Sequence, residues 1–205
     1  MDAVPPERVP PELADHPDRL RWNAKYGSAP GLSPVHPLAE RALSFGLPDG
    51  AVLDLASGPS GSALLAAAAG RPVTAVDVSE IALARLGAAA RDRGLASLIT
   101  LVQADLGGWR PSAEGYALVL CTGFWDRAVF GRAAGAVRPG GLLAWEAFTE
   151  DARRDRPRLP AQWCLGPTEP ASLLPDRFTV LEQADDPSSG KRGLLARRCA
   201  APAAR

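Results

Sequence analysis

The chain has 205 residues, 46% of them hydrophobic and 22% charged, the proportions of a soluble globular protein able to bury a core without a disulfide or metal staple. Lysine plus arginine number 23 and aspartate plus glutamate number 23, so the formal net charge is zero. That balance argues against a broad electrostatic grip on nucleic acid or on an anionic membrane. The three cysteines, Cys121, Cys164 and Cys199, lie far apart without a CxxC pair, and His16 and His36 are the only histidines. A structural metal site or disulfide framework is therefore not expected, and a reducing cytoplasm is the natural compartment.

In chain order, residues 1–34 are rich in proline and charge, with one aromatic island at Trp22 and Tyr26. The first eleven residues lack the apolar stretch of a signal peptide, and no apolar run approaches the roughly 18 residues of a membrane span. Residues 35–148 form the architectural core. Short apolar runs at 51–55, 72–76, 99–102, 117–121 and 141–145 are continuous, as in strands covered on both faces. Helical stretches are predicted at 60–69, 79–91 and 126–137. Ser79 with Glu80 marks a helix start, and the sequence Arg138-Pro-Gly-Gly stops the third helix. Such alternation predicts right-handed crossovers and a mainly parallel sheet. Residues 149–205 add an Arg/Pro-rich loop, then runs at 178–182 and 193–197 with no helix between them, predicted as an antiparallel hairpin on the sheet edge. The whole chain is expected to form a single domain.

Ligands of such sheets bind at the carboxyl ends of the strands, near the point where strand order reverses. Near the end of the first run stands Asp54, followed by the turn Ala56-Ser57-Gly58, where a glycine admits close backbone approach. Asp77 ends the second run, where a carboxylate can accept from both hydroxyls of a ribose. After the third, Asp105 can accept from the amine of an adenine while Leu106 packs on its ring. After the fourth lie Cys121 and Thr122. Each has a plainer reading too. Asp77 can cap the helix begun at Ser79, Asp105 can be a solvated turn residue, and Trp22 with Tyr26 can anchor the N-terminal segment. The histidines read as surface or capping residues, and the cysteines as inert. The cluster Arg153, Arg154, Arg156 and Arg158 reads either as a solvated loop or as a lid whose cations hold an anionic substrate.

Together the segments Val-Leu-Asp-Leu-Ala-Ser-Gly, Thr-Ala-Val-Asp-Val-Ser, Gln-Ala-Asp-Leu and Arg-Pro-Gly-Gly resemble those of class I S-adenosylmethionine-dependent methyltransferases over roughly residues 50–148. Trp22-Asn-Ala-Lys-Tyr26, Glu146-Ala-Phe-Thr149 and the loop containing Arg156, Pro157 and Leu165–Glu169 resemble a small bacterial subgroup related to tellurite-resistance-type methyltransferases. The resemblance implies an α/β, Rossmann-like, doubly wound sheet of seven strands, mainly parallel, with the antiparallel C-terminal hairpin at its edge. It implies S-adenosyl-L-methionine as cofactor and a small-molecule substrate. Asp54, Ala56, Ser57 and Gly58 would hold the methionine part, Asp77 the ribose, and Val78, Asp105 and Leu106 the adenine. Cys121 and Thr122 would lie under the methionine part, and Trp22 and Tyr26 would close over the cofactor. Two of the family's usual glycines are replaced, by Ala56 and by Ser60, whose side chain is expected on the cofactor side. The residues also admit a non-catalytic cofactor- or partner-binding protein on this fold. An RNA methyltransferase would need a basic stripe that the sequence lacks.

Overall fold

The structure, a computed structural model, describes residues 9–29 and 31–200; the sequence readings on residues 1–8 and 201–205 lie outside it. Five strands, β1 (Ala51–Leu55), β2 (Val73–Asp77), β3 (Ile99–Gln103), β4 (Tyr116–Thr122) and β5 (Val137–Phe148), pair in parallel. Strands β6 (Phe178–Asp186) and β7 (Lys191–Arg198) form the antiparallel hairpin, with β7 inserted against β5 and β6 outermost. The resulting order is β3-β2-β1-β4-β5-β7-β6. Chain direction across the sheet reverses between β1 and β4, so a crevice opens above those strand ends.

Alternate residues of each central strand feed two separate cores. Leu53, Leu143 and Trp145 pack on one face with Phe130, whereas Val52, Leu118 and Leu142 pack on the other with Leu86. That two-sided burial is the physical reason for the continuous apolar runs. The helices over these faces are α3 (Gly61–Ala68), α4 (Glu80–Asp92) and α5 (Arg127–Ala136). Ser60, Ser79 and Asp126 each cap one of them, accepting from the backbone N–H of Ala63, Ala82 and Val129, as polar N-cap residues do.

Among the described residues two α-helices precede β1: α1 (Pro17–Ser28) and α2 (Pro37–Ser44). The sequence reading assigned neither. Trp22 and Tyr26 therefore sit on a helix of their own. Each helix carries proline at its first position and an acid in its first turn, a start signal in its own right. Strand β5 also begins four residues earlier than the apolar run. Val137 already pairs with Tyr116, and a register irregularity between Tyr116 and Leu118 takes up the turn-forming residues. Arg138-Pro-Gly-Gly does end α5, because the residue before a proline is held extended.

Candidate functional site

The carboxyl ends of β1 to β4, roofed by α1, enclose a cavity of about 560 Å³, the size of a cofactor or drug-like ligand site. Ala56 and Ser57 after β1, Asp77 and Val78 at the end of β2, Asp105 and Leu106 after β3, and Thr122 of β4 line it. Trp22 and Tyr26 line it from above. Asp54, Gly58 and Cys121, predicted in the same site, do not face this space; each is placed just behind the wall.

Asp54 is buried inside β1 and accepts a hydrogen bond of 2.7 Å from Ser60 Oγ. Ser60 is thus occupied from both sides, as cap of α3 and as donor to Asp54. Its side chain, though it lines the cavity, turns toward β1 and not outward as the sequence suggested. Gly58 lies beneath Tyr26: its φ is +58°, and a Cβ there would come 2.7 Å from Tyr26 Oη. Glycine alone meets both demands at low cost. Cys121 is fully buried, and burial pushes its thiol well above the ordinary range. Ala56 adopts φ +49°, a left-handed conformation that costs an alanine roughly 1 kcal/mol relative to glycine.

Asp77 organises the turn. Its Oδ2 accepts from Gly58 N–H and its Oδ1 from Ser79 N–H, both at 2.8 Å. The capping role is real, yet a carboxylate offers about four acceptor positions, so the bonds from the turn do not exhaust it. Burial raises the Asp77 pKa, while the N–H bonds oppose that shift. Asp105 accepts from Gly107 N–H at 3.0 Å, a local turn that holds its backbone against the cavity. Tyr26 stacks on Trp22 with ring centroids 5.7 Å apart. Burial, and then the charge of Asp77, raise the Tyr26 phenol well above its usual value, so it stays protonated.

Helix α1 is tied down by polar contacts. Arg19 Nε donates to Glu80 at 2.9 Å, Asn23 Nδ2 donates to Glu80 at 2.9 Å, and Ser79 Oγ donates to Asn23 at 2.6 Å. Glu80 also receives Gln103 Nε2.

At the opposite end of the cavity stands Phe124, in the segment after β4 where the sequence places the reactive end of a ligand, together with His36, Phe148 and Lys191, which the sequence reading did not assign to the site. His36 Nδ1 accepts from Leu38 N–H, capping α2, so its proton lies on Nε2 and is donated to Glu146 Oε1 at 3.1 Å. The expected capping role of His36 holds, and both ring nitrogens are engaged. Lys191 Nζ donates to the same Glu146 oxygen at 2.7 Å. Burial pushes Glu146 up, but the bonds from His36 and Lys191 outweigh it and the carboxyl is held below its ordinary pKa. Lys191 reaches the site only because the β5–β7 register sets it opposite Phe148, a pairing that no local motif announces.

The pKa of Asp54 is pushed to about 7 by burial, with the Ser60 hydrogen bond opposing and Asp77 adding to the shift. In the unfolded chain such a carboxyl titrates near about 3.9. Between those values the folded state binds more protons, so this group's share of stability is present in acid and lost as pH rises through 7. Asp54→Asn keeps an acceptor for Ser60 and removes the titration. The stability of the variant relative to wild type should therefore rise between pH 5 and pH 8 in denaturant melts; a constant difference would show that Asp54 does not titrate in that window.

Residues 52–141 match the family model described as a methyltransferase domain. That segment is a methyltransferase domain. The methyltransferase's fold is that of class I S-adenosylmethionine-dependent enzymes, and S-adenosylmethionine is the cofactor of that class. Geranyl diphosphate C-methyltransferase from Streptomyces coelicolor A3(2), in complex with Mg2+, geranyl diphosphate and S-adenosyl-L-homocysteine, is 14% identical, with a TM-score of 0.64 over 93% of this chain and 99% of that one. Magnesium protoporphyrin IX methyltransferase from Synechocystis PCC 6803 with bound S-adenosylhomocysteine is 17% identical, with a TM-score of 0.62 over 88% and 93%. A structure concerned with conversion of a disulfide bond into a thioacetal group during echinomycin biosynthesis is 20% identical, with a TM-score of 0.64 over 91% and 94%. No curated protein sequence matches the methyltransferase. Among its described residues no helix is long and apolar enough to cross a membrane.

Proposed function

We propose that this methyltransferase acts on a small molecule, in the cytoplasm, as a single unit in which α1 covers the cofactor. The observation that carries the reading is the convergence of Asp77, Asp105 and the Gly58 turn on one cavity beneath an aromatic roof. The residues fit the cofactor's chemistry. Asp77 retains acceptor positions for a ribose, Val78 and Leu106 offer apolar contact to an adenine, and Asp105 offers an acceptor for its amine. Ala56 and Ser57 would lie along the methionine part with Thr122 below it, while Asp54, Gly58 and Cys121 support that wall from behind. The aromatic faces of Trp22 and Tyr26 suit a sulfonium cation. The motifs around Trp22, Glu146 and Leu165–Glu169 favour the subgroup related to tellurite-resistance-type methyltransferases.

When bound, S-adenosylmethionine supplies an activated methyl group on sulfur. The chain's task is to align and to exclude water. Phe124, Phe148 and Trp22 supply apolar walls at the acceptor end. Of the groups there, His36 is doubly bonded, Glu146 is paired with two donors, and Tyr26 holds its proton. The site is built to orient an acceptor that needs little help in losing a proton.

Calorimetry should give S-adenosylhomocysteine binding at one site per chain. Methyl transfer from labelled S-adenosylmethionine should occur to at least one acceptor of a small-molecule panel of thiols, amines and phenols. Binding without turnover on any acceptor would instead assign a cofactor-sensing role, and absence of binding would refute the reading altogether.

A further inference from the structure

Four cations gather at the acceptor end of the cavity, in a protein whose overall charge is zero. Lys25 and Lys191 line the space. Lys25 Nζ lies 4.4 Å from the Trp22 ring centroid, with the Arg21 guanidinium 5.3 Å from the same ring and 4.3 Å from that of Trp163. Lys191 Nζ lies 5.5 Å from the Phe148 ring and the Arg156 guanidinium 4.9 Å from it. Of the arginine cluster at 153–158, only Arg156 joins this group through an aromatic contact. Arg153 donates to the Leu159 carbonyl, and Arg154 pairs with Asp151 on the surface.

The balancing charge is scarce. Glu146 pairs with Lys191, while among the described residues no carboxylate forms an ion pair with Arg21, Lys25 or Arg156. Burial, and then repulsion from Arg21 and Lys191, lower the pKa of Lys25. Two of the three carboxylates that line the cavity, Asp77 and Asp105, stand at the carboxyl ends of β2 and β3, at its other end. Asp18 shares the inward face of α1 but lies seven residues from Lys25, about 10 Å along the helix axis. The cavity is thus polarised, acidic where the ribose and adenine would lie and basic where the acceptor would enter.

We propose that the acceptor is a small organic anion with an apolar body, its negative charge held between Lys25 and Lys191 and its body against Phe124 and Phe148. This rests on the methyltransferase reading above and names the substrate class of that site. An anion placed there relieves the repulsion among the cations and offsets the charge of a neighbouring sulfonium. The cofactor's own carboxylate is the competing occupant, and the test separates the two.

Benzoate and benzamide have the same size and differ in charge. Their binding to protein saturated with S-adenosylhomocysteine is measured by ligand-observed NMR. Benzoate should bind about tenfold more tightly, as expected for two partly exposed ion pairs, and added salt should erode the difference. Lys25→Met and Lys191→Met should each remove part of that preference while benzamide binding stays constant. Melting curves check that each variant folds, and Lys25→Met, on the outer helix, keeps the test open if Lys191→Met does not. Equal binding of the two probes, or no binding of either, would overturn the proposal. So would a Lys25→Met protein that loses S-adenosylhomocysteine affinity but keeps the benzoate preference, since Lys25 would then serve the cofactor. Failure of wild type to bind S-adenosylhomocysteine at the outset would instead strike the methyltransferase reading itself.

Discussion

Replacing Asp77 by alanine should lower affinity for S-adenosylhomocysteine about hundredfold or more. Two effects combine. The carboxylate's free acceptor positions, proposed to take the ribose hydroxyls, are lost, and hydrogen bonds to a charged group contribute about 1.5–3 kcal/mol each. The turn that shapes the site also loses its organiser, because Gly58 N–H and Ser79 N–H both donate to this side chain. Each buried N–H left without a partner costs about 1–3 kcal/mol, so the melting temperature should fall as well, partly offset by removal of a desolvated charge. Asp77→Asn retains one acceptor oxygen and should fall between wild type and alanine in both measurements. A folded Asp77→Ala protein that binds S-adenosylhomocysteine normally would place the ribose elsewhere.

Gly61→Ala should be the most damaging single methyl group in the molecule's upper wall. Gly61 opens α3 and donates to Ser33 O at 3.1 Å. A Cβ at this position would stand 2.5 Å from Ser33 O, 2.9 Å from Val35 N and 3.0 Å from Pro34 C. These are backbone atoms, which cannot rotate away, so the chain from Ser33 to His36 must move and carry the cavity wall with it. Overpacking of this kind costs about 1–3 kcal/mol, which for a chain of this size is about 2–4 °C of melting temperature per kcal/mol. S-adenosylhomocysteine affinity should fall too. The same substitution at Gly135 of α5, where a Cβ meets nothing within 4 Å, should raise the melting temperature, since alanine is the better helix former. Thermal melts of both variants check the pair; a neutral Gly61→Ala would show that the 33–36 segment yields freely.

The strand ends were legible in the sequence because each parallel strand is a mostly apolar run followed by polar residues where the chain leaves the sheet. Asp77, Val78, Asp105, Leu106 and Thr122 could be placed on the cavity from that rule alone. Asp54 could not, because it lies within β1 and not beyond its end, with its carboxylate buried and bonded to Ser60. Helix α1 was missed because none of its side chains is fully buried, so it carries no continuous apolar stripe to read. Lys191 was missed for a topological reason. Its neighbours in the site are Phe148 and Glu146, more than forty positions earlier, and only the antiparallel insertion of β7 joins them.

The roof of the site therefore differs in kind from its floor. The floor is continuous with two packed cores and cannot shift without opening voids. The roof contributes nothing to either core and is fastened chiefly through Glu80 and Ser79. Swinging α1 outward would trade a handful of bonds to protein for bonds to water and leave the interior dry, so the proposed passage of the cofactor beneath it would not require the sheet to unfold.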